Sequence, residues 1–198
     1  MRILTSAALG LAVAFPVAAE TYHLDPGHTE VRFSWDHAGI TRQHGEWTSV
    51  TGTVEFDPEN VTATSADITI GADSLHTGFP ALDADLKSSN FFDAENFPEI
   101  TFKSTSAVQT AAKTLRLTGD LTIKGQAAPL VLDVTLTFQG EHPFGAFFDY
   151  YKGEWIGVHA TGIMLRSDHG VGMFAPVTSD EVRLEISAEM RAGGWPEQ

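Results

Sequence analysis

From Val31 onward the chain alternates apolar and polar residues. Val31, Phe33 and Trp35 fall on one side and Arg32, Ser34 and Asp36 on the other, the pattern of a strand with one buried face. A second run covers about Gly45 to Phe56, with Val50, Val54 and Phe56 in phase, and Asp57-Pro58 ends it. Ala66, Ile68, Ile70 and Ala72 make a third. The period then fails between Ser74 and Ser89. Pro80 suits a first helical position and Leu82 and Leu86 are four apart, so a short helix is expected there.

The stretch that follows, Leu86 to Phe102, crowds Phe91, Phe92 and Phe97 into seven residues and places Pro98 immediately after them. A proline excludes the helical region for the residue before it, so the chain leaves Phe97 extended, with Ile100 and Phe102 on one face of a fourth strand. The segment reads as a lid at one end of a β-structure. Further strands are expected at about Leu115 to Ile123, with Gly119 in phase as a bend or close-packing point, and at Leu130 to Phe138, Trp155 to Leu165 and Val182 to Met190. A turn carries Gly125. Two long loops remain: Gln139 to Gly153, with Phe144, Phe147, Phe148, Tyr150 and Tyr151, and Arg166 to Ser179.

About eight antiparallel strands with one apolar face each define an all-β chain. A sandwich of two sheets or a closed barrel would bury them. Strands of about nine to twelve residues exceed the five or six common in sandwiches, which favours an eight-stranded antiparallel barrel capped by a short helix and long loops. Such a barrel is filled by its own side chains or holds one small ligand.

The first 19 residues stand apart. Arg2, an apolar run from Ile3 to Phe15 and the small residues Val17-Ala18-Ala19 form a secretory leader, leaving one domain over residues 20–198. The apolar run is shorter than the roughly 20 residues that span a bilayer. The chain has no cysteine, so neither a lipid-anchored thiol nor a disulfide is available. A soluble protein secreted to a bacterial periplasm, without stable membrane insertion, is the expectation. The sequence carries 12 Lys+Arg against 26 Asp+Glu, a net charge of −14, and loss of Arg2 with the leader makes it −15. That balance disfavours nucleic acid and anionic membrane surfaces as partners.

Candidate chemistry is sparse. Eight histidines occur, none in a close metal-ligand spacing, so neither metal nor cofactor is expected. Ser167-Asp168-His169 has triad residue types, but neighbours in sequence do not converge as a triad requires. Arg166 ends an otherwise apolar strand, and Lys87 precedes the aromatic lid. A cation at a barrel mouth suits a polar or anionic lipid head; an ordinary ion pair with one of the many acids is the competing reading. The loop aromatics at Phe91-Phe92 and at Phe144, Phe147 and Phe148 suit a ligand or lid surface.

At this point the sequence resembles the YceI-like family of exported, lipid-binding, lipocalin-like proteins, over essentially all of the chain past the leader. The carrying segments are Asp25-Pro26-Gly27-His28-Thr29 with Phe33 and His37, Gly45 to Trp47, and Gly52 to Pro58. The lid stretch matches through Leu86, Ser88, Phe91-Phe92-Asp93 and Phe97-Pro98 with Thr101-Phe102. Gly119 to Gly125 with Pro129, and Arg166-Ser167-Asp168 with Gly170, complete the match. The resemblance implies a barrel enclosing a long apolar tunnel for a polyisoprenoid chain, an isoprenoid quinone or a polyprenyl phosphate, and no enzymatic activity. The sequence departs from the family at Leu82 and Lys87, where arginine is usual, at Trp47, where phenylalanine is usual, and at His169, where an aromatic is usual. With one cation fewer, the mouth is less suited to a charged pyrophosphate and remains compatible with a neutral quinone.

The resulting expectation is an isoprenoid-lipid carrier, with a second copy of the chain left open as a partner. Val31, Phe33, Trp35, Ile68, Ile70, Phe91, Phe92, Ile100, Phe102, Leu132, Leu136, Val158 and Ile186 are assigned to the tunnel wall. His37, Asp83, Lys87 and Arg166 are assigned to a polar mouth. Alternation alone does not say which strand face encloses a ligand. Two other classes remain: an enzyme for a small apolar substrate, with His37, Asp83 and Arg166 gathered at the mouth, and a packed barrel serving as an interaction module.

Overall fold

The computed structural model describes residues 19–195; most of the leader lies outside the described residues. Among the described residues there are ten strands: β1 Glu20–His37, β2 Thr41–Trp47, β3 Val50–Phe56, β4 Ser65–Gly71, β5 Leu75–His76, β6 Glu99–Ala111, β7 Thr114–Ile123, β8 Gln126–Glu141, β9 Glu154–Leu165 and β10 Thr178–Ala192. One helix, α1, covers Pro80–Lys87. The strands neighbour one another in the order β10-β9-β8-β7-β6-β4-β3-β1, and a β1–β10 pairing closes the ring. β2 continues the position of β3, because β3 pairs with Glu20 to His23 of β1 and β2 with Val31 to His37. The result is a closed, eight-stranded antiparallel barrel, as the strand pattern predicts.

Local sequence explains the geometry. Along β7, Leu115, Leu117, Leu121 and Ile123 are buried, and on β8 Leu130, Leu132 and Val134 answer them across the hairpin. The two-residue turn Lys124-Gly125 has φ of 51° and 72°, the double positive φ that matches hairpin twist. Gly119 is a close-packing point. A Cβ there would lie 2.6 Å from the Phe102 ring and 2.5 Å from the Lys103 carbonyl oxygen.

Two strands differ from the pattern-based expectation. β1 starts at Glu20 rather than near Val31, because the turn-like residues Asp25-Pro26-Gly27-His28 occupy a bulge. The ladder to β10 runs from Leu24–Met190 directly to Thr29–Ala188. The expected run from Gly45 to Phe56 is two strands, broken at Thr48-Ser49. Ser74 Oγ accepts from both freed amides, at 3.2 and 3.0 Å.

Candidate functional site

The helix and the aromatic lid are held across one end of the barrel by local bonds. Pro80 sits in the first turn of α1, after an extended Phe79, where its missing N–H removes nothing from the helix. Leu82 and Leu86 are half-buried against the core. Past the helix, the Phe92 amide donates to the Leu86 carbonyl at 3.0 Å and the Ala94 amide to the Lys87 carbonyl at 3.0 Å. Asp93, at φ 51°, turns the chain so that Phe92 is driven inward, 5.5 Å and edge-on from Trp47. Trp47 also lies 4.4 Å from Phe33. The Phe33 ring rests on Gly45, where a Cβ would come within 2.4 Å of it.

Beneath this lid is a cavity of about 440 Å³, which also takes in Arg166, Val171, Met173 and Phe174 from the loop after β9. A second cavity, about 150 Å³, lies in the barrel interior, and apart from Thr29 and Thr64 its wall is entirely apolar. Met164 lines both. The long tunnel implied by the resemblance is thus two compartments, with Phe33, Trp47 and Phe92 grouped near their boundary.

The sequence-assigned residues divide accordingly. Val31, Ile68, Ile70, Ile100 and Phe102 line the interior, as do Leu132, Leu136, Val158 and Ile186. Phe33, Trp35, Phe91 and Phe92 line the mouth compartment together with His37 and Arg166. Asp83 and Lys87 line neither compartment, which corrects their assignment to the mouth. The Asp83 carboxylate instead accepts from Thr77 Oγ1 at 2.6 Å, the Thr77 amide at 2.7 Å and His76 at 3.2 Å. The Thr77 hydroxyl is the main cause of its lowered pKa, with the Thr77 amide and His76 adding to it. Lys87 closes the helix, on its last turn.

Arg166 fits neither sequence reading, lipid-head cation or ion pair. Its guanidinium donates to the carbonyls of Ser179, Val171, Met173 and Thr178 at 2.8 to 3.2 Å. Only 8% of the residue is exposed, and burial lowers its pKa, with Asp180 acting in the opposite direction. Arg166 therefore holds the loop that walls the mouth.

The second aromatic loop takes a different position. Phe144, Phe147 and Phe148 line neither compartment and are largely exposed. Their loop sits at the far end of the barrel, against the β1 bulge. There Asp25, fully buried, accepts from Tyr150 Oη at 2.7 Å, the Gly27 amide at 2.8 Å and His28 Nδ1 at 2.8 Å. Burial, then donation to Asp25, raises the Tyr150 pKa. The Asp25 bond raises that of His28, against an opposing effect of burial. Asp25, His28 and Glu189 present ligand atoms within 4.8 Å of one another. Both Asp25 oxygens are already engaged, so the group acts as a hydrogen-bonded anchor. The sequence reading missed this anchor because Tyr150 lies 125 residues from Asp25. It left Trp47 out of the wall because the strand break puts Trp47 out of phase with Val50, Val54 and Phe56.

A family model for the YceI-like domain matches residues 22–190. The chain belongs to the YceI-like family. Among curated relatives, Protein YceI of Salmonella arizonae is 33% identical over 187 residues, covering 93% of each chain. Burkholderia cenocepacia BcnA superposes with a TM-score of 0.73 at 22% identity, over 84% of this chain and 98% of that one. A polyisoprenoid binding domain from Saccharophagus degradans gives 0.59 at 14% identity, over 89% and 99%. At these identities the solved structures support the YceI-like barrel fold. Among the described residues, no helix of this YceI-like protein is long and apolar enough to cross a membrane.

Proposed function

We propose that this protein is an exported, periplasmic carrier that sequesters a long isoprenoid lipid in its barrel. One observation carries the reading: a closed barrel with an almost wholly apolar interior meets, at Met164, an apolar mouth compartment of about 440 Å³. That volume lies within the roughly 300–1,000 Å³ usual for ligand pockets. Exposed Phe79 and Phe174 stand on the wall of the mouth, where an apolar chain would pass. The leader supports export, and the likeness to the Saccharophagus polyisoprenoid binding domain supports the ligand class.

An uncharged head fits this mouth better than a polyprenyl phosphate. The Arg166 donors are already directed at backbone carbonyls, and Asp85 shares the compartment wall. A desolvated phosphate there would lack the charge-assisted bonds that offset its burial. The enzyme reading loses its geometry, because Asp83 lies outside the compartment that contains His37 and Arg166. Organic extraction of the purified protein followed by mass spectrometry tests the proposal, together with calorimetric titration of the delipidated protein with isoprenoid quinones. Recovery or saturable uptake of such a lipid is expected. An empty extract together with no binding heat would overturn it.

A further inference from the structure

Among the described residues, two buried polar side-chain atoms have no hydrogen-bond partner: Trp47 Nε1 and Thr29 Oγ1. Trp47 is 3% and Thr29 8% exposed, and both residues line the interior cavity. Val31 is the β1 partner of Trp47, and Thr29 is the next inward position along β1. The two are diagonal neighbours, on the order of 7–8 Å apart. An indole N–H can only donate, and burying such a donor unpaired is unfavourable. Phenylalanine would keep aromatic contacts with Phe33 and Phe92 without that penalty. Packing therefore does not account for the indole nitrogen.

We propose that Trp47 Nε1 donates a hydrogen bond to an oxygen of the bound lipid, with the Thr29 hydroxyl as a second polar contact. The lipid head is then an uncharged, oxygen-bearing ring, such as a quinone or phenol with an isoprenoid tail. It is held at the boundary of the two compartments rather than at the rim. This rests on the lipid-carrier reading and narrows it. Trp47 lines the interior and touches Phe33 and Phe92, which line the mouth, so a ring beside it can leave its tail in apolar surroundings. Both orphan atoms are sealed from solvent, so a ring that reaches them needs the surrounding wall to yield. Met164, on the wall of both compartments, has an unbranched thioether that adjusts to admit a ring. A pure hydrocarbon would leave both groups unpaired. A phosphate would need more than one indole N–H and one hydroxyl to offset its lost hydration.

The test compares two probes of nearly equal shape, farnesyl-benzoquinone and farnesylbenzene, by calorimetry on delipidated protein. The wild type should bind the quinone at least about tenfold more tightly, the discrimination expected when a buried donor gains or lacks an acceptor. Trp47→Phe should cut that ratio below about threefold, because the quinone loses its donor whereas farnesylbenzene never had one. The Trp47 indole N–H resonance should move downfield with the quinone and not with the hydrocarbon. Should Trp47→Phe fail to fold, Thr29→Val and the wild-type resonance still decide: a partial loss of preference with a downfield shift supports the bond. Equal binding of the probes by the wild type, or an unchanged ratio in Trp47→Phe, overturns the inference and leaves the carrier reading intact. Binding of neither probe, with no lipid recovered, overturns both.

Discussion

At the mouth, Phe91 and Phe92 turn into a cavity and the nearby cation Arg166 holds backbone in place. At the far end, Phe144, Phe147 and Phe148 lie in the open while a buried carboxylate, Asp25, ties down Tyr150 of their loop. The two loops have similar aromatic content. What separates them is where the backbone is anchored. Bonds from Phe92 and Ala94 to the last turn of α1 force the mouth phenylalanines inward. The far loop is anchored through Tyr150 and by the Trp155 indole, which donates to the Tyr151 carbonyl at 3.1 Å, so its phenylalanines have no inward path. Polar anchors, more than aromatic count, decide which loop borders a ligand space.

Equivalent substitutions at the two ends should therefore behave unequally. Phe92→Ala should cost about 3–5 kcal/mol of unfolding free energy, as for other buried phenylalanines, and should also weaken lipid uptake; urea denaturation and calorimetry read the two effects. Asp25→Ala should cost about 2–4 kcal/mol by leaving Tyr150, Gly27 and His28 without their acceptor, while lipid affinity of the folded fraction stays unchanged. A matching affinity loss would break the contrast between the ends. Tyr150→Phe should cost about 1–2 kcal/mol in the same denaturation assay.

His28 gives the far end a pH dependence. Its pKa is raised by Asp25, so the folded state holds the proton more tightly than the unfolded chain. That contribution is complete below the ordinary value of 6.5 and is lost as pH rises through the raised one. Half-exposure of the ring keeps the effect small. Denaturation midpoints of the wild type should fall across that window more than those of His28→Gln, and parallel curves would remove His28 from the account. Phe147→Ala, at 75% exposure, should change stability by no more than about 0.5 kcal/mol, with lipid affinity unaltered.

The barrel was legible in the sequence because Val31 to Trp35, Leu130 to Val134 and Val182 to Ile186 repeat the period of a one-sided strand. Closure makes the apolar strand faces the interior, which is where Val31, Ile68 and Leu132 lie. Of the polar residues, His37 and Arg166 line the mouth, but the partners of Arg166 and Asp83 were not legible. Arg166 looks like a free cation in the sequence, and only the loop that folds over it supplies four carbonyls. Asp83 looks like a mouth acid until Thr77 takes up its Oδ1 and His76 its Oδ2. Asp25 and Tyr150 lie 125 residues apart, a pairing that no local pattern encodes.

Closure itself joins the first strand to the last: Tyr22 pairs with Ala192 and Trp35 with Val182. During synthesis β10 emerges after every other strand, and until it does the sheet has two raw edges and no inside. Bringing chain ends together across nearly the whole sequence also makes this pairing among the slowest to form. The compartment comes into being only when β10 has paired with β1, so anything the interior encloses must enter after the barrel has closed.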